Sequence, residues 1–386
     1  MANEEALRKQ AVALYDEGKT VVFIAHELNR SRQWVHKWIN RCKSSSNDWF
    51  TSQSTVPHNL VNKTSAMWED VIVKTRQMLE GSPYMESGAY AIWHYLRSQG
   101  AEPPSVATIN RILHKYGLTK QKVRYQKSGI EYPEIPVNTQ LMDLIGPRYI
   151  RGGQRYYLFT IISNDTRYAG VYPILSKSGY DITQSIVSFW KSYSIPDYLQ
   201  MDNELSFKGS NRHPRGLGML LRTALNLNVT PIFIPVAEPW RNGVIERFNQ
   251  KVERTLLLQE HRCFEELLEH SCRFVETHNS QHSYSTLGHK TPIELTKEYA
   301  SFLSPLSDSF TVNERLPLDC MNLNEIRFIR LIRSDLKVNI LNTEISVLPK
   351  LMHTYVEVFL LANDHTLLIK QDGKVMQQTE FIMPLL

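Results

Sequence analysis

Residues 138–174 read NTQLMDLIGPRYIRGGQRYYLFTIISNDTRYAGVYPI. The runs 138–145, 156–163 and 168–174 are rich in β-branched and aromatic residues, which suit a pleated, half-buried surface. Between them stand Gly152-Gly153 and Asn164-Asp165, residue types that tight turns select. Downstream the period lengthens. Over 180–192, Ile182, Ile186, Val187 and Trp190 fall on one side of a helix. A short strand follows at 198–201, a helix at 217–227, a strand at 229–234, and one long helix from 243 to about 268. Three consecutive strands followed by helix–strand alternation predict a mixed sheet with helices on its faces.

Upstream of this core the pattern is helical. Residues 4–17 put Leu7, Ala11 and Leu14 on one face, and Gly18 ends that helix. A second short helix spans 21–28. Ser31 suits the N-cap of a third, 32–41, which buries Val35, Trp38, Ile39 and Cys42. That leaves Arg32, Gln33, His36, Lys37, Asn40 and Arg41 for solvent or DNA. Three short helices with a basic, amide-rich last helix describe a helix-turn-helix, whose last helix reads the major groove. After the polar linker 44–47, helices at 68–80, 88–99 and from 103 to Gly117 form a second such unit or a winged helix. Lys115, Lys120, Lys122, Arg124 and Lys127 make a basic exit from it. Residues 129–137 are a stiff, proline-bearing linker. Downstream of the core, short strands at 336–341, 344–348, 355–361, 366–369 and 375–381 suggest a small β-barrel. The expected fold class is therefore multidomain: helix-turn-helix modules at 1–45 and 64–127, an α/β core at 137–300, and a β-barrel at 325–386.

Charge separates these parts. Residues 1–130 carry 18 Lys and Arg against 11 Asp and Glu, whereas the remainder carries 26 against 28. A basic front on a near-neutral body points to a polyanionic partner. No run of about 18 apolar residues occurs, so no membrane span is expected. The polar start MANEEALRKQ is no secretory signal. Four scattered cysteines argue against a disulfide framework and for a reducing compartment. A protein working on DNA in the cytoplasm fits.

Three acids sit where acids are costly. Asp143 lies inside the strand Leu141-Met142-Asp143-Leu144-Ile145, where an unpaired carboxylate needs a partner or a cation. Asp202 follows the strand 198–201, and strand carboxyl ends are where sites form in open α/β sheets. Glu246 lies in the first turn of the long helix, off the stripe Val244, Phe248, Val252 and Leu256. Asn249, Gln250 and Glu253 share its side. Three carboxylates without a matching Cys/His set favour Mg²⁺ or Mn²⁺, and a pair of such ions suits phosphoryl transfer. Spacing alone is weak evidence in a chain with 39 acids; placement carries the inference.

The runs Met142-Asp143-Leu144 and Met201-Asp202-Asn203, and above all PWRNGVIERFN at 239–249, resemble the motifs of retroviral-type integrases and bacterial insertion-sequence transposases. In that family an Asn-Gly step precedes the helix that carries the catalytic Glu. The resemblance covers about 138–300 and, more loosely, the whole layout. It implies a ribonuclease-H-like core with Asp143, Asp202 and Glu246 as catalytic metal ligands. It further implies element-end and target DNA as substrates, and cleavage and strand transfer as the reaction. There are two departures. The 43 residues between Asp202 and Glu246 exceed the usual family gap, and GSNRHPRG at 209–216 reads as a surface insertion that explains the excess. The two-His, two-Cys zinc pattern of retroviral integrases is missing from the N-terminus, which points to the bacterial branch.

Other features are weaker. Arg247, Lys251 and Arg254 recur at i, i+4 and i+7, as a phosphate grip or a solvated face. Asn249 faces the metals, and residues 240–242 read as a mobile loop over the site. Glu204 is the near competitor of Asp202. His261-x-Cys263 and His270-x-Cys272 invite a zinc reading, but helix positions two apart diverge. Without a Walker-type glycine loop, any ATP-driven step would need a separate helper ATPase. Element ends come in pairs, so a homo-oligomer is expected. The rival readings are a DNA-binding regulator with a retired core, and a nuclease that does not join.

Overall fold

The computed structural model describes residues 2–44, 48–52, 64–119, 131–209, 215–313 and 325–383. It divides into two units, Met1–Lys63 and Thr64–Leu386. In the first, α1 (Ala2–Asp16), α2 (Val21–Glu27) and α3 (Arg32–Ser44) enclose a small core of Ala11, Ile24, Leu28, Val35 and Ile39. The Thr20 hydroxyl accepts from the Phe23 amide at 3.3 Å. The Ser31 hydroxyl accepts from the Trp34 amide at 3.1 Å, fixing the start of α3.

The second unit begins with α4 (Ala66–Gly81), α5 (Ala89–Ser98) and α6 (Val106–Lys115), packed around Ile72, Leu79, Ile92, Ile109 and Leu113. The basic residues Lys120, Lys122, Arg124 and Lys127 lie outside the described residues. Lys115 is paired with Glu69 at 2.7 Å.

In the core, β1 (Thr139–Tyr149), β2 (Arg155–Ser163) and β3 (Ala169–Ile174) form an antiparallel meander. Then follow α7 (Gly179–Ser192), β4 (Tyr198–Met201), α8 (Leu205–Lys208), α9 (Met219–Asn226) and β5 (Thr230–Phe233). Strands β4 and β5 lie parallel to β1, so the sheet is mixed. Alternation along β2 divides the apolar side chains between two layers. Tyr157, Phe159 and Ile161 face α7 and α9, joining Ile182, Ile186, Trp190 and Leu221. Tyr156, Leu158 and Ile162 face the opposite layer of α10 (Gly243–Thr255) and α11 (Phe264–Gln281). The buried Trp190 indole donates to Gln140 on β1 at 2.9 Å, and Gln140 donates to the Ser194 carbonyl, so this polar pair is satisfied.

Two expectations are corrected. The single long helix from 243 to about 268 is two helices, α10 and α11. His261 is buried between them, with Nε2 at 3.1 Å from the Leu256 carbonyl and Nδ1 at 3.1 Å from His270. Glu266 accepts from the Arg262 amide at 2.6 Å and restarts the helix. No Gly or Pro marks this break, so tertiary contacts make it. On α10 itself, Ile245, Phe248, Val252 and Leu256 are buried, with Val244 only partly so.

The C-terminal strands do not form a separate small β-barrel over 325–386. An unanticipated strand, β6 (Glu325–Leu331), pairs parallel with β5. Then β7 (Lys337–Ile340) and β8 (Thr343–Ser346) make their own hairpin. The strands β9 (Tyr355–Leu361), β10 (Thr366–Gln371) and β11 (Lys374–Glu380) add antiparallel beyond β6. The result is one open nine-stranded sheet in the order β11-β10-β9-β6-β5-β4-β1-β2-β3. One apolar cluster runs from Trp190 and Leu221 through Phe328 and Val358 to Ile369 and Phe381. The barrel expectation failed because β6 was not seen, and β6 is the strand that fuses the two parts.

Candidate active site

The parallel register pairs Leu141 with Gln200 on β1 and β4. Two residues further along each strand come Asp143 and Asp202. Both share the face of Leu141 and Gln200, the face that α10 covers. Gln200 donates to Asn242 Oδ1 at 3.0 Å, and Asn242 Nδ2 reaches the Met142 carbonyl at 3.4 Å. Asn242 is only 3% exposed. It therefore staples the entrance of α10 to both strands. This gives the Asn of the Asn-Gly step a physical role that the sequence alone did not supply. Glu246 stands about one turn further on and Asn249 about two.

Asn249 Nδ2 donates to Asp143 Oδ2 at 2.8 Å, and the Leu144 amide donates to Asp143 Oδ1 at 2.8 Å. Asn249 Oδ1 is buried and without a hydrogen-bond partner among the described residues. Burial pushes the Asp143 carboxyl up to about 7, and the negative charges of Asp202 and Glu246 add to that rise. Burial also raises Asp202, with a further contribution from Glu204, and raises Glu246. Asp143, Glu246, Asn249, Gln250 and Glu253 line an open cleft of about 440 Å³ together with residues 144–148. At its edge, Gly146 has φ +136° and lies so close to Tyr157 that a Cβ would meet its ring at 2.9 Å.

Asp202 turns toward its own loop, where Oδ1 accepts from the Glu204 amide at 3.0 Å. Glu204, the competitor, is taken by Lys177 at 2.7 Å. Among the described residues no three His, Cys, Asp or Glu side chains are drawn together tightly enough to hold a metal ion. Mutual repulsion of three carboxylates favours such a spread. Of the expected insertion, 209–216, residues 210–214 lie outside the described residues. Its two ends are pinned together, with Gly218 N donating to the Lys208 carbonyl at 3.0 Å.

The other expected contacts divide. On α3, Arg32, Gln33, His36, Lys37 and Asn40 are exposed, while Arg41 is half-buried over the Trp38 ring at 5.0 Å. Arg247 and Arg254 are exposed on α10. Lys251 is a correction: it points inward as part of a buried cluster, 3.7 Å from Glu86 and 3.3 Å from His278 Nδ1. Burial brings its pKa down to about 8. Helical periodicity put it beside Arg247, but the docked α4–α5 connection covers that side. Residues 240–242 are a 3-10 turn, Pro239–Asn242, tied down through Arg241 and Asn242, with Trp240 60% exposed. Cys263 and Cys272 are exposed, and among the described residues they form no metal-holding group with the His261–His270 pair.

Residues 227–292, which include Asn242, Glu246 and Asn249, match the sequence family described as integrase core domain. Over that stretch the chain carries the sequence of an integrase core domain. Residues 2–46 match a homeodomain-like domain, in agreement with the helix-turn-helix of α1–α3. Together the two domains imply DNA as a partner. Among solved structures, the chain is similar to the catalytic core domain of HTLV-2 integrase in complex with magnesium, in its dimeric form. That match has 13% identity and a TM-score of 0.32, over 42% of this chain and 97% of that one. It is also similar to the BIV integrase catalytic core, at 15% identity and a TM-score of 0.34, over 43% and 98%. No helix among the described residues is long and apolar enough to cross a membrane.

Proposed function

We propose that this integrase-core protein is a bacterial DNA transposase that cuts at the ends of its element and joins them to target DNA. Asp143, Asp202 and Glu246 would hold Mg²⁺ or Mn²⁺. The observation that carries this reading is that Asn249 holds Asp143 and keeps a buried oxygen, unpaired among the described residues, beside a desolvated carboxylate that feels the charges of Asp202 and Glu246. An all-oxygen, anionic, partly dehydrated donor set suits hard divalent ions. Bound there, such ions would stabilise charge on the attacking and leaving oxygens of a phosphodiester.

The chain's own groups do the rest. The three carboxylates act as ligands and need carry no proton through the reaction. Asn249 orients Asp143 through its amide and offers Oδ1 to a water or hydroxyl proton. Asn242 fixes α10, and hence Glu246, against the two strands. The α3 residues Arg32, Gln33, His36, Lys37 and Asn40 would read the element ends, with Arg41 beside them. Arg247 and Arg254 would contact phosphates next to the cleft. Pairing two ends calls for at least two copies of the chain.

The test is to incubate the protein with Mg²⁺ and DNA bearing the inverted repeats that flank its gene. Joined products that vanish in Asp202→Asn, with DNA binding retained, support the reading. Binding without cutting in either Mg²⁺ or Mn²⁺ would favour a DNA-binding regulator, and cutting without joining a nuclease.

A further inference from the structure

The strands that extend the sheet reach back to the candidate site at two points. The first is Arg330 on β6. It shares its face with Ile326 and Phe328 and is buried. Its Nη2 donates to Asn203 Oδ1 at 2.8 Å, its Nη1 to the Ile234 carbonyl at 3.0 Å and the Ile329 carbonyl at 2.9 Å, and its Nε to the Asn339 carbonyl at 3.4 Å. All four acceptors are uncharged. Asn203 in turn donates to the Ile234 carbonyl at 2.7 Å. The guanidinium thus locks the exits of β4 and β5 to each other, one residue beyond Asp202. An apolar residue would cost less in a core, because a buried cation without a carboxylate is expensive.

The second point is Tyr355, the first residue of β9. Its hydroxyl donates to buried Glu238 Oε2 at 2.6 Å and accepts from Arg241 Nη2 at 2.7 Å. Arg241 Nε closes the triangle at 3.2 Å from the same Glu238 oxygen. The Arg241 guanidinium lies 4.1 Å from the centroid of the Tyr132 ring and 4.7 Å from that of Tyr355, and the two rings meet edge-on at 5.0 Å. Residues 238–241 are the approach to Asn242 and Glu246.

We propose that β6 and β9 are part of the catalytic scaffold, with Arg330 and Tyr355 as positioning residues for the loops that carry Asp202 and Glu246. This rests on the transposase reading for its consequence, but the geometry stands apart from it. The C-terminal strands then cannot be treated as an accessory: they set the height of one carboxylate and the entry angle of the helix that bears another.

The test uses the full chain with Tyr355→Phe, which keeps both rings and removes one hydroxyl, and Arg330→Lys, which keeps the charge and loses the guanidinium fork. Tyr355→Phe should slow joining at saturating DNA and Mn²⁺ by about tenfold or more, as misplacement does, with DNA affinity unchanged. Tryptic cleavage after Arg241, read by mass spectrometry against the exposed Arg262, should speed up at least about fivefold as the loop opens more often. Arg330→Lys should weaken Mn²⁺ binding in a calorimetric titration by about tenfold. Unchanged cleavage after Arg241, or faster cleavage with unchanged joining, overturns the role of Tyr355. Unchanged Mn²⁺ affinity overturns that of Arg330. Should the wild-type chain join no DNA, the transposase reading fails, while the cleavage comparison still decides whether Tyr355 holds the loop.

Discussion

Asn249 donates to the Asp143 carboxylate at 2.8 Å across the gap between α10 and β1, while its own carboxamide oxygen is buried and, among the described residues, unpaired. A buried acceptor left open costs about 1–3 kcal/mol, so its placement needs an occasion to be satisfied. Asn249→Ala should therefore reduce joining by about tenfold to a hundredfold, the usual effect of losing a group that orients a ligand. DNA affinity should not change. A gel assay of joined products alongside a binding titration checks both.

The raised pKa of Asp143 gives the metal-free protein a distinctive pH dependence. The folded state keeps a proton, up to about pH 7, that the unfolded chain releases near its ordinary value of 3.8. Between those values the native state binds more protons, so this group's contribution to stability falls as pH rises. A divalent ion competes with that proton, so Mg²⁺ should raise the Tm more at pH 8 than at pH 5. Equal shifts at both values would exclude the linkage.

Lys251 and Glu86 join the α4–α5 connection to α10. Glu86 also meets His282 at 3.2 Å, and its bonds to His282 and Lys251 outweigh its burial and bring it down to about 2. Its stabilisation is present above the unfolded value and is lost as pH falls from about 4.5 toward 2. Glu86→Gln leaves a buried ammonium uncompensated. It should cost about 2 kcal/mol, below the ~3–5 of a fully buried pair because Glu86 is half exposed. Urea unfolding of the two proteins measures it.

On α3, Lys37 and Gln33 are both exposed but should behave differently. Lys37→Ala should weaken binding to all sequences and reduce the salt slope by about 0.9. Gln33→Ala should cost about 1–3 kcal/mol on element ends only. Salt-series titrations with specific and random DNA separate the two.

Much of this was legible because local chemistry and tertiary structure agreed. The period-2 runs around Asp143, the turn pairs Gly152-Gly153 and Asn164-Asp165, and the cap at Ser31 all lie where short-range rules put them. Asp143 drew notice because an acid is out of place inside a strand, Glu246 because it follows Asn242-Gly243 at a helix start, and Asp202 mainly through the motif resemblance. What was not legible depends on distant partners. The break after Thr255 is made by His261 packing, Lys251 is turned inward by a loop some 165 residues away in sequence, and Arg330 is understood only beside Asn203. β6 alternates Ile326, Phe328 and Arg330 on its inner face. The arginine there breaks the apolar pattern, and that irregularity was the one available sign that the strand carries more than core.

The central claim is that Asp143, Asp202 and Glu246 close on divalent metal. Anomalous diffraction from crystals of the protein soaked in Mn²⁺ tests it most directly. The account predicts a manganese peak contacted by oxygens of all three side chains, with Asp202 turned away from the Glu204 amide. A peak elsewhere, or none while the three carboxylates stay apart, would contradict it.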